Sequence, residues 1–209
     1  MPGPILTEIT VAAEAATWAG AGFSVAAETC VVGDVAIGFA GGAGGIADWA
    51  LTEVEGAEVD GLATRLGEQQ AAADVPHPNG VVEIDHLVVL TPSLERTVAA
   101  FETIGVELRR VREGETGLGP YRQAFFRLGR PILEVVEAAD MEAEAPARFW
   151  GVTFTVADID AAAELLGERI GRVKDAVQPG RRIATVRKEA GLGLPVALIT
   201  PNIRKTTAG

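Results

Sequence analysis

Two side chains able to ligate metal or move protons stand in otherwise apolar runs: His86 in Ile84–Leu90, and Glu134 in Ile132–Val136. A carboxylate inside an apolar strand is costly unless it is partnered or protonated. A metal ion or His86 would partner Glu134, and without metal a raised pKa would suit it to proton transfer. The plainer readings are a satisfied strand histidine and an edge-strand glutamate reaching solvent. Arg181 and Arg182 are adjacent on a strand and so point to opposite faces. Matching Arg182 to Gln123 makes Arg182 the inward one, where it would grip a carboxylate or phosphate with two hydrogen bonds; a salt bridge to a neighbouring acid is the alternative. Tyr121, Trp150, Phe125 and Phe154 would line a pocket or simply pack. Cys30 has nothing basic near it in sequence and reads as inert. Gly41–Gly45 lacks the Lys-Ser/Thr of a phosphate loop and reads as a flexible hairpin or lid.

The elements that must position these residues form a repeating order. A strand at Ile84–Leu90 leads into Thr91-Pro92, an N-cap followed by proline at the first helical position. Leu94, Val98, Ala99 and Phe101 give a helical apolar face, which Gly105 ends. Strands are expected at Val106–Val111, Tyr121–Leu128 and Pro131–Val136. The order β-α-β-β-β then recurs: a strand at Trp150–Val156, an Asp158 cap, a helix at Ile159–Ile170, and strands at Arg172–Val177, Arg181–Val186 and Leu194–Ile199. Matching His86 with Gly151, Gln123 with Arg182, and Glu134 with Leu198 displaces the modules by 65, 59 and 64 residues, which points to a duplicated fold.

Residues 69–81, polar and Ala-rich and closing on Pro76-His77-Pro78-Asn79-Gly80, read as a linker. Before it, residues 1–68 echo the module weakly. A strand at Glu8–Ala13, a helix at Glu14–Ala21, a strand at Phe23–Ala27 and a hairpin at Val31–Phe39 are followed by Ala47–Val54 and Val59–Leu66. This is a degenerate module and a half, short of closing strands.

The 209-residue chain carries net charge −11, unevenly placed. Residues 1–80 hold eleven acids and only Arg65, whereas residues 81–209 hold eighteen acids and seventeen bases. An acidic surface repels phosphate backbones, so no nucleic-acid partner is expected. No run is apolar enough to span a bilayer, the first residues lack the basic region of a secretory signal, and one cysteine permits no internal disulfide. A cytoplasmic protein with no membrane contact is expected.

Ile-Asp-His86-Leu-Val-Val, a proline-led helix, a Gly-bounded hairpin and Ile-Leu-Glu134-Val-Val-Glu resemble the vicinal oxygen chelate superfamily (glyoxalases, bleomycin-resistance proteins and extradiol dioxygenases). Phe-Thr-Val-Ala-Asp158-Ile-Asp adds to this, and the resemblance covers residues 82–201, as modules 82–138 and 149–201 before a tail at 202–209. His77-Pro-Asn-Gly-Val and Ala176-Val-Gln-Pro-Gly-Arg-Arg also resemble segments of uncharacterised actinobacterial glyoxalase-like proteins. The resemblance implies an α+β fold in which paired βαβββ modules curl a mixed sheet into a cup. It further implies one divalent metal (Fe, Mn, Zn or Ni) held from the first and last strands of each module. His86 and Glu134 match two such positions; Gly151 and Leu198, at the other two, supply no ligand. Strand alternation puts Asp85 opposite His86 and Glu137 opposite Glu134. The expected function is small-molecule binding, of an anionic substrate or ligand, with lyase, isomerase or dioxygenase activity on an incomplete metal site. Metal-free sequestration in the manner of bleomycin resistance and a non-catalytic interaction domain are the alternatives. Pairing of modules within one chain or across a homodimer stays open.

Overall fold

The computed structural model describes residues 3–54, 57–116 and 119–202. Its N-terminal elements are β1 (Leu6–Val11), α1 (Ala15–Gly20), β2 (Val25–Ala26), β3 (Thr29–Val32), β4 (Val35–Phe39), β5 (Ile46–Leu51), β6 (Ala57–Val59) and β7 (Leu62–Leu66). After the linker come β8 (Val81–Thr91), α2 (Leu94–Thr103), β9 (Leu108–Thr116), β10 (Gly119–Arg127) and β11 (Ile132–Glu137). The last set is β12 (Arg148–Val156), α3 (Ile159–Leu166), β13 (Lys174–Asp175), β14 (Arg182–Val186) and β15 (Val196–Ile199).

The C-terminal strands form one sheet in the order β13-β14-β15-β12-β8-β11-β10-β9. Its centre is the antiparallel pair β8/β12, and each of these strands pairs in parallel with the closing strand of its own module, β11 or β15. Two βαβββ modules therefore meet back to back within one chain. The N-terminal sheet, β2-β3-β4-β1-β5-β7-β6, repeats the plan, with β1/β5 antiparallel at the centre and β4 and β7 parallel to them. Its second module is worn: β6 and β7 close it, and no helix stands between β5 and β6 among the described residues.

Local chemistry explains the helix ends. Ser93, not Thr91, caps α2, its side chain accepting from the Arg96 N–H. Thr91 stays in β8, its hydroxyl bonded to Ser93 N (3.1 Å) and Thr97 Oγ1 (2.7 Å). Asp158 caps α3 by accepting from Asp160 N and Ala161 N. That helix stops at Leu166, before the expected Ile170, because Gly167 takes φ +55° and a short 3-10 turn follows.

One apolar core joins the helix-bearing sides of both sheets. Trp18 of α1 packs on Phe23, Phe39 and Phe154, and Trp49 of β5 packs on Phe101 and Phe149. Buried aromatic side chains of this size dominate core energetics. The Gly41–Gly45 segment is docked rather than free: Gly45 N–H donates to Gly193 O (2.7 Å), and a Cβ on Gly44 would run into that same carbonyl. Among the described residues, no helix is long and apolar enough to cross a membrane.

His77 pins the linker to the N-terminal sheet. Nδ1 accepts the Ser24 N–H (2.9 Å), and Nε2 lies 3.0 Å from Val31 O. Nε2 must then carry the only ring proton, because an Nδ1–H would face another N–H. Burial lowers the His77 pKa, partly offset by the Val31 carbonyl. The unfolded chain accepts a proton near pH ~6.5 that the folded ring refuses. This contribution is therefore complete above that value and is lost as pH falls toward the lowered one. Urea unfolding should show His77→Ala less stable by about 2 kcal/mol at about pH 8. The gap should narrow toward about pH 5; a gap independent of pH would contradict the neutral-histidine assignment.

Candidate functional site

Residues on the face of the C-terminal sheet away from the helices follow from the pairing register. Leu87, Val89, Leu133, Val135, Ala124 and Phe126 are buried in the core, so the alternate residues face the concave side. Across β10, β11, β8 and β12, one row runs Phe125, Glu134, Val88, Gly151. The next row runs Arg127, Ile132, His86, Thr153. His86 and Glu134 are thus diagonal neighbours, with Nε2 and Oε2 3.9 Å apart and side chains 15% and 20% exposed.

Strict alternation fails at Asp85. His86 pairs with Thr153, yet Phe154 pairs with Ile84, so Asp85 is an extra residue in β8. The bulge brings it to the same side as His86, and Asp85 Oδ2 lies 2.7 Å from His86 Nδ1. The expectation that Asp85 stands opposite His86 is therefore corrected. Behind Asp85 lies Arg181, 5% exposed, donating from Nη2 to Asp85 Oδ1 (2.5 Å) and from Nε to Thr200 O (2.7 Å). Glu134 Oε1 accepts from Gln123 Nε2 (2.7 Å). A polar line thus crosses the sheet: Arg181, Asp85, His86, Glu134, Gln123.

Two carboxyl groups in this line are driven apart. Burial pushes Asp85 upward, but hydrogen bonds from His86 and Arg181 outweigh it and hold Asp85 below its ordinary value. Burial raises Glu134, only partly countered by His86 and Arg112, with Asp85 adding to the rise. One carboxylate stays charged and orients an imidazole; the other is poised to carry a proton.

Arg182 was expected to face inward, and the register reverses this. Thr185 pairs with Ala197 and Ala184 with Leu198; Ala184 and Leu198 are core residues. Arg182 thus lies on the helix side, exposed, holding both carboxylate oxygens of Asp160 (2.7 and 2.8 Å). The same one-residue slip applies to Leu198. Glu134 pairs with Val88 and Ala197 with Thr153, so Ala197 is the counterpart of Glu134, while Leu198 is buried in the core. Of the aromatic candidates, Tyr121 is half-buried beneath the Arg112 guanidinium (5.6 Å to the ring centroid), and Phe125 lies beneath Arg110 (4.9 Å). Trp150 is exposed on an irregular stretch of β12, and Phe154 is core. Glu137 pairs with Arg122 and caps α2 at Leu94 N, and His77 is committed to Ser24 and Val31. From sequence, Asp85 and Arg181 are named but turned away from the cup, and Arg110 and Arg112 are not reached. The sequence signal for the first two was a charged residue beside each named candidate.

The donor set does not fit a resident divalent ion. Gly151 and Ala197 offer no side-chain ligand, and a Cβ on Gly151 would come within 2.6 Å of Pro195 O, so the chain itself fills that position. Both His86 nitrogens face carboxylates, and among the described residues no group of three His, Cys, Asp or Glu side chains could hold a metal.

The fold is one of paired βαβββ modules around a curved mixed sheet, as the resemblance to the vicinal oxygen chelate superfamily implies. No family model and no curated protein sequence matches the chain. Solved structures do. A xylose isomerase-like TIM barrel/4-hydroxyphenylpyruvate dioxygenase fusion protein is similar over 98% of this chain at TM-score 0.66 and 13% identity. The chain spans 50% of that protein's length. Methylmalonyl-CoA epimerase from Mycobacterium tuberculosis is similar over 62% of this chain and 94% of its own, at TM-score 0.47 and 17% identity. The Streptomyces coelicolor epimerase covers 59% of this chain and 96% of its own, at 0.47 and 20%.

Two stability outcomes follow. Gly151→Ala should cost about 1–3 kcal/mol, because Pro195 must shift to admit the methyl group. Glu134 is raised, so the folded state holds its proton to higher pH than the unfolded chain, and its ionisation costs stability as pH climbs through that raised value. Glu134→Gln should therefore be more stable than the parent at neutral pH, with the gap vanishing below the ordinary glutamate range; denaturant melts across pH measure both.

Proposed function

We propose that this chain binds a small organic acid on the concave face of its C-terminal sheet and moves a proton on it without metal. The observation that carries this reading is the Arg181–Asp85–His86 line ending 3.9 Å from Glu134. Asp85 holds the Nδ1–H of His86, so Nε2 presents a lone pair, as a general base requires. Glu134, with its raised pKa and a fixed Gln123 contact, takes or returns the proton from a neighbouring position. One ligand carbon above both atoms would lie within reach of each, so a proton next to a carbonyl is the natural target. Arg110 and Arg112 support the choice of an acid. They stack on Phe125 and Tyr121, and Arg112 also acts on Glu134. Guanidinium groups placed in this way suit a carboxylate.

Binding without turnover is the second reading, favoured by the Gln123 amide already occupying one Glu134 oxygen. The two readings separate in D2O. Simple 2-oxo acids incubated with the protein should exchange the C3 protons beside their carbonyl for deuterium, read by NMR, faster than in buffer, and His86→Asn or Glu134→Gln should slow this by about 100-fold or more. Calorimetric binding with no exchange would select sequestration. Neither binding nor exchange across the 2-oxo acids would overturn the proposal.

A further inference from the structure

Beyond His86, at the far end of the polar line, lies a cavity of about 570 Å³ whose lining includes Arg127, Arg130, Arg181, Glu83, Asp85 and Asn202. Three guanidinium groups face two carboxylates, and one of these, Asp85, is already shared between Arg181 and His86. Of the three, only Arg181 is held at close range by an acid among the described residues, through Nη2 to Asp85. Arg127 donates to the Arg130 backbone carbonyl (2.9 Å). Arg130 is 61% exposed, with Asp34 3.8 Å away. Arg181 is buried, uses Nε and Nη2, and has no partner for Nη1 among the described residues. A buried guanidinium with an open nitrogen on a polar cavity, flanked by two more arginines that make no close ion pair among the described residues, gathers donors for an anion in a chain of net −11.

We propose that this cavity binds a small organic anion through carboxylate or phosphate oxygens, and that its occupancy reaches His86 through Arg181 and Asp85. The volume lies within the range of small-molecule sites, well beyond the needs of a bare oxyanion. Guanidinium groups bind either oxyanion with paired hydrogen bonds. An anion on Arg181 competes with Asp85 for the same group. Asp85 holds His86 Nδ1 with its other oxygen, so the imidazole registers the exchange. The site needs neither Glu134 nor proton transfer, and stands or falls apart from the reading above.

Inorganic phosphate and citrate, each titrated calorimetrically into the full chain, are the probes. The chain has only two histidines, so two ring Hε1 signals report the coupling. The His86 signal should move with saturation while that of His77 stays still. The double variant Arg127→Gln/Arg130→Gln changes exposed side chains only. It should weaken binding at least tenfold and abolish the His86 response with the His77 signal unchanged, whereas Glu134→Gln should leave binding in place. Tighter citrate binding would assign carboxylates and tighter phosphate binding would assign phosphate esters; either upholds the site. Anion binding unaffected by the double variant, or no binding of either probe, overturns it. Binding that leaves the His86 signal unmoved overturns the coupling.

Discussion

The extra residue in β8 is the constraint on which the site depends. Without the register shift at Asp85, the carboxylate would point into the core and Arg181 would be a buried cation with no counter-charge. With the shift, Arg181 is paired with Asp85, the other oxygen of Asp85 meets His86 Nδ1, and His86 Nε2 lies 3.9 Å from Glu134. Removing one partner of a buried ion pair typically costs about 3–5 kcal/mol, because the other charge is stranded. The line is therefore built as a unit. Its rigidity fixes the orientation of the His86 ring within the sheet.

The N-terminal sheet solves the same four positions differently. There Glu8 pairs with Ala50, Thr10 with Asp48, Thr10 with Gly38, and Ala50 with Arg65. By register, Glu8 stands where His86 does, Asp48 where Gly151 does, Gly38 where Glu134 does, and Arg65 where Ala197 does. Arg65 then spans both carboxylates, reaching Asp48 (2.8 Å) and Glu8 (3.0 Å), with Thr10 bonded to Asp48. A guanidinium from one closing strand thus neutralises both first-strand acids. These groups are largely exposed, so solvent screens them and their worth to stability is small. Their arrangement nevertheless closes that cup with the chain's own cation, leaving the C-terminal cup as the one with an open acid–base pair.

The order of elements was legible because strands rich in β-branched residues, capped helices and glycine stops each carry a local signal. The paired β8-to-β11 and β12-to-β15 modules follow from it directly. Even the N-terminal echo was readable from Val31–Phe39 and Val59–Leu66. Side-chain direction was not. A strand has a period of two, so a one-residue slip exchanges its faces completely. Matching Gln123 to Arg182 and Glu134 to Leu198 each erred by one residue, and so exchanged Arg181 for Arg182 and Ala197 for Leu198. Asp85 failed for a related reason: a bulge is fixed by pairing with Phe154 and Thr153, partners that no local pattern of β8 names.

Net charge alone would argue against an anionic ligand, since a chain at −11 repels one at a distance. That repulsion acts through solvent, where screening confines it to about 8 Å at physiological ionic strength. At short range individual groups decide. Arg110 and Arg112 lie on rings, and Arg127 and Arg181 line the polar cavity; of these four Arg181 is buried, where local attraction is strengthened. Ten of the eleven net negative charges belong to residues 1–80, outside the sheet that carries these arginines. The division of charge along the chain thus separates an acidic half from the half that carries seventeen of the eighteen lysines and arginines.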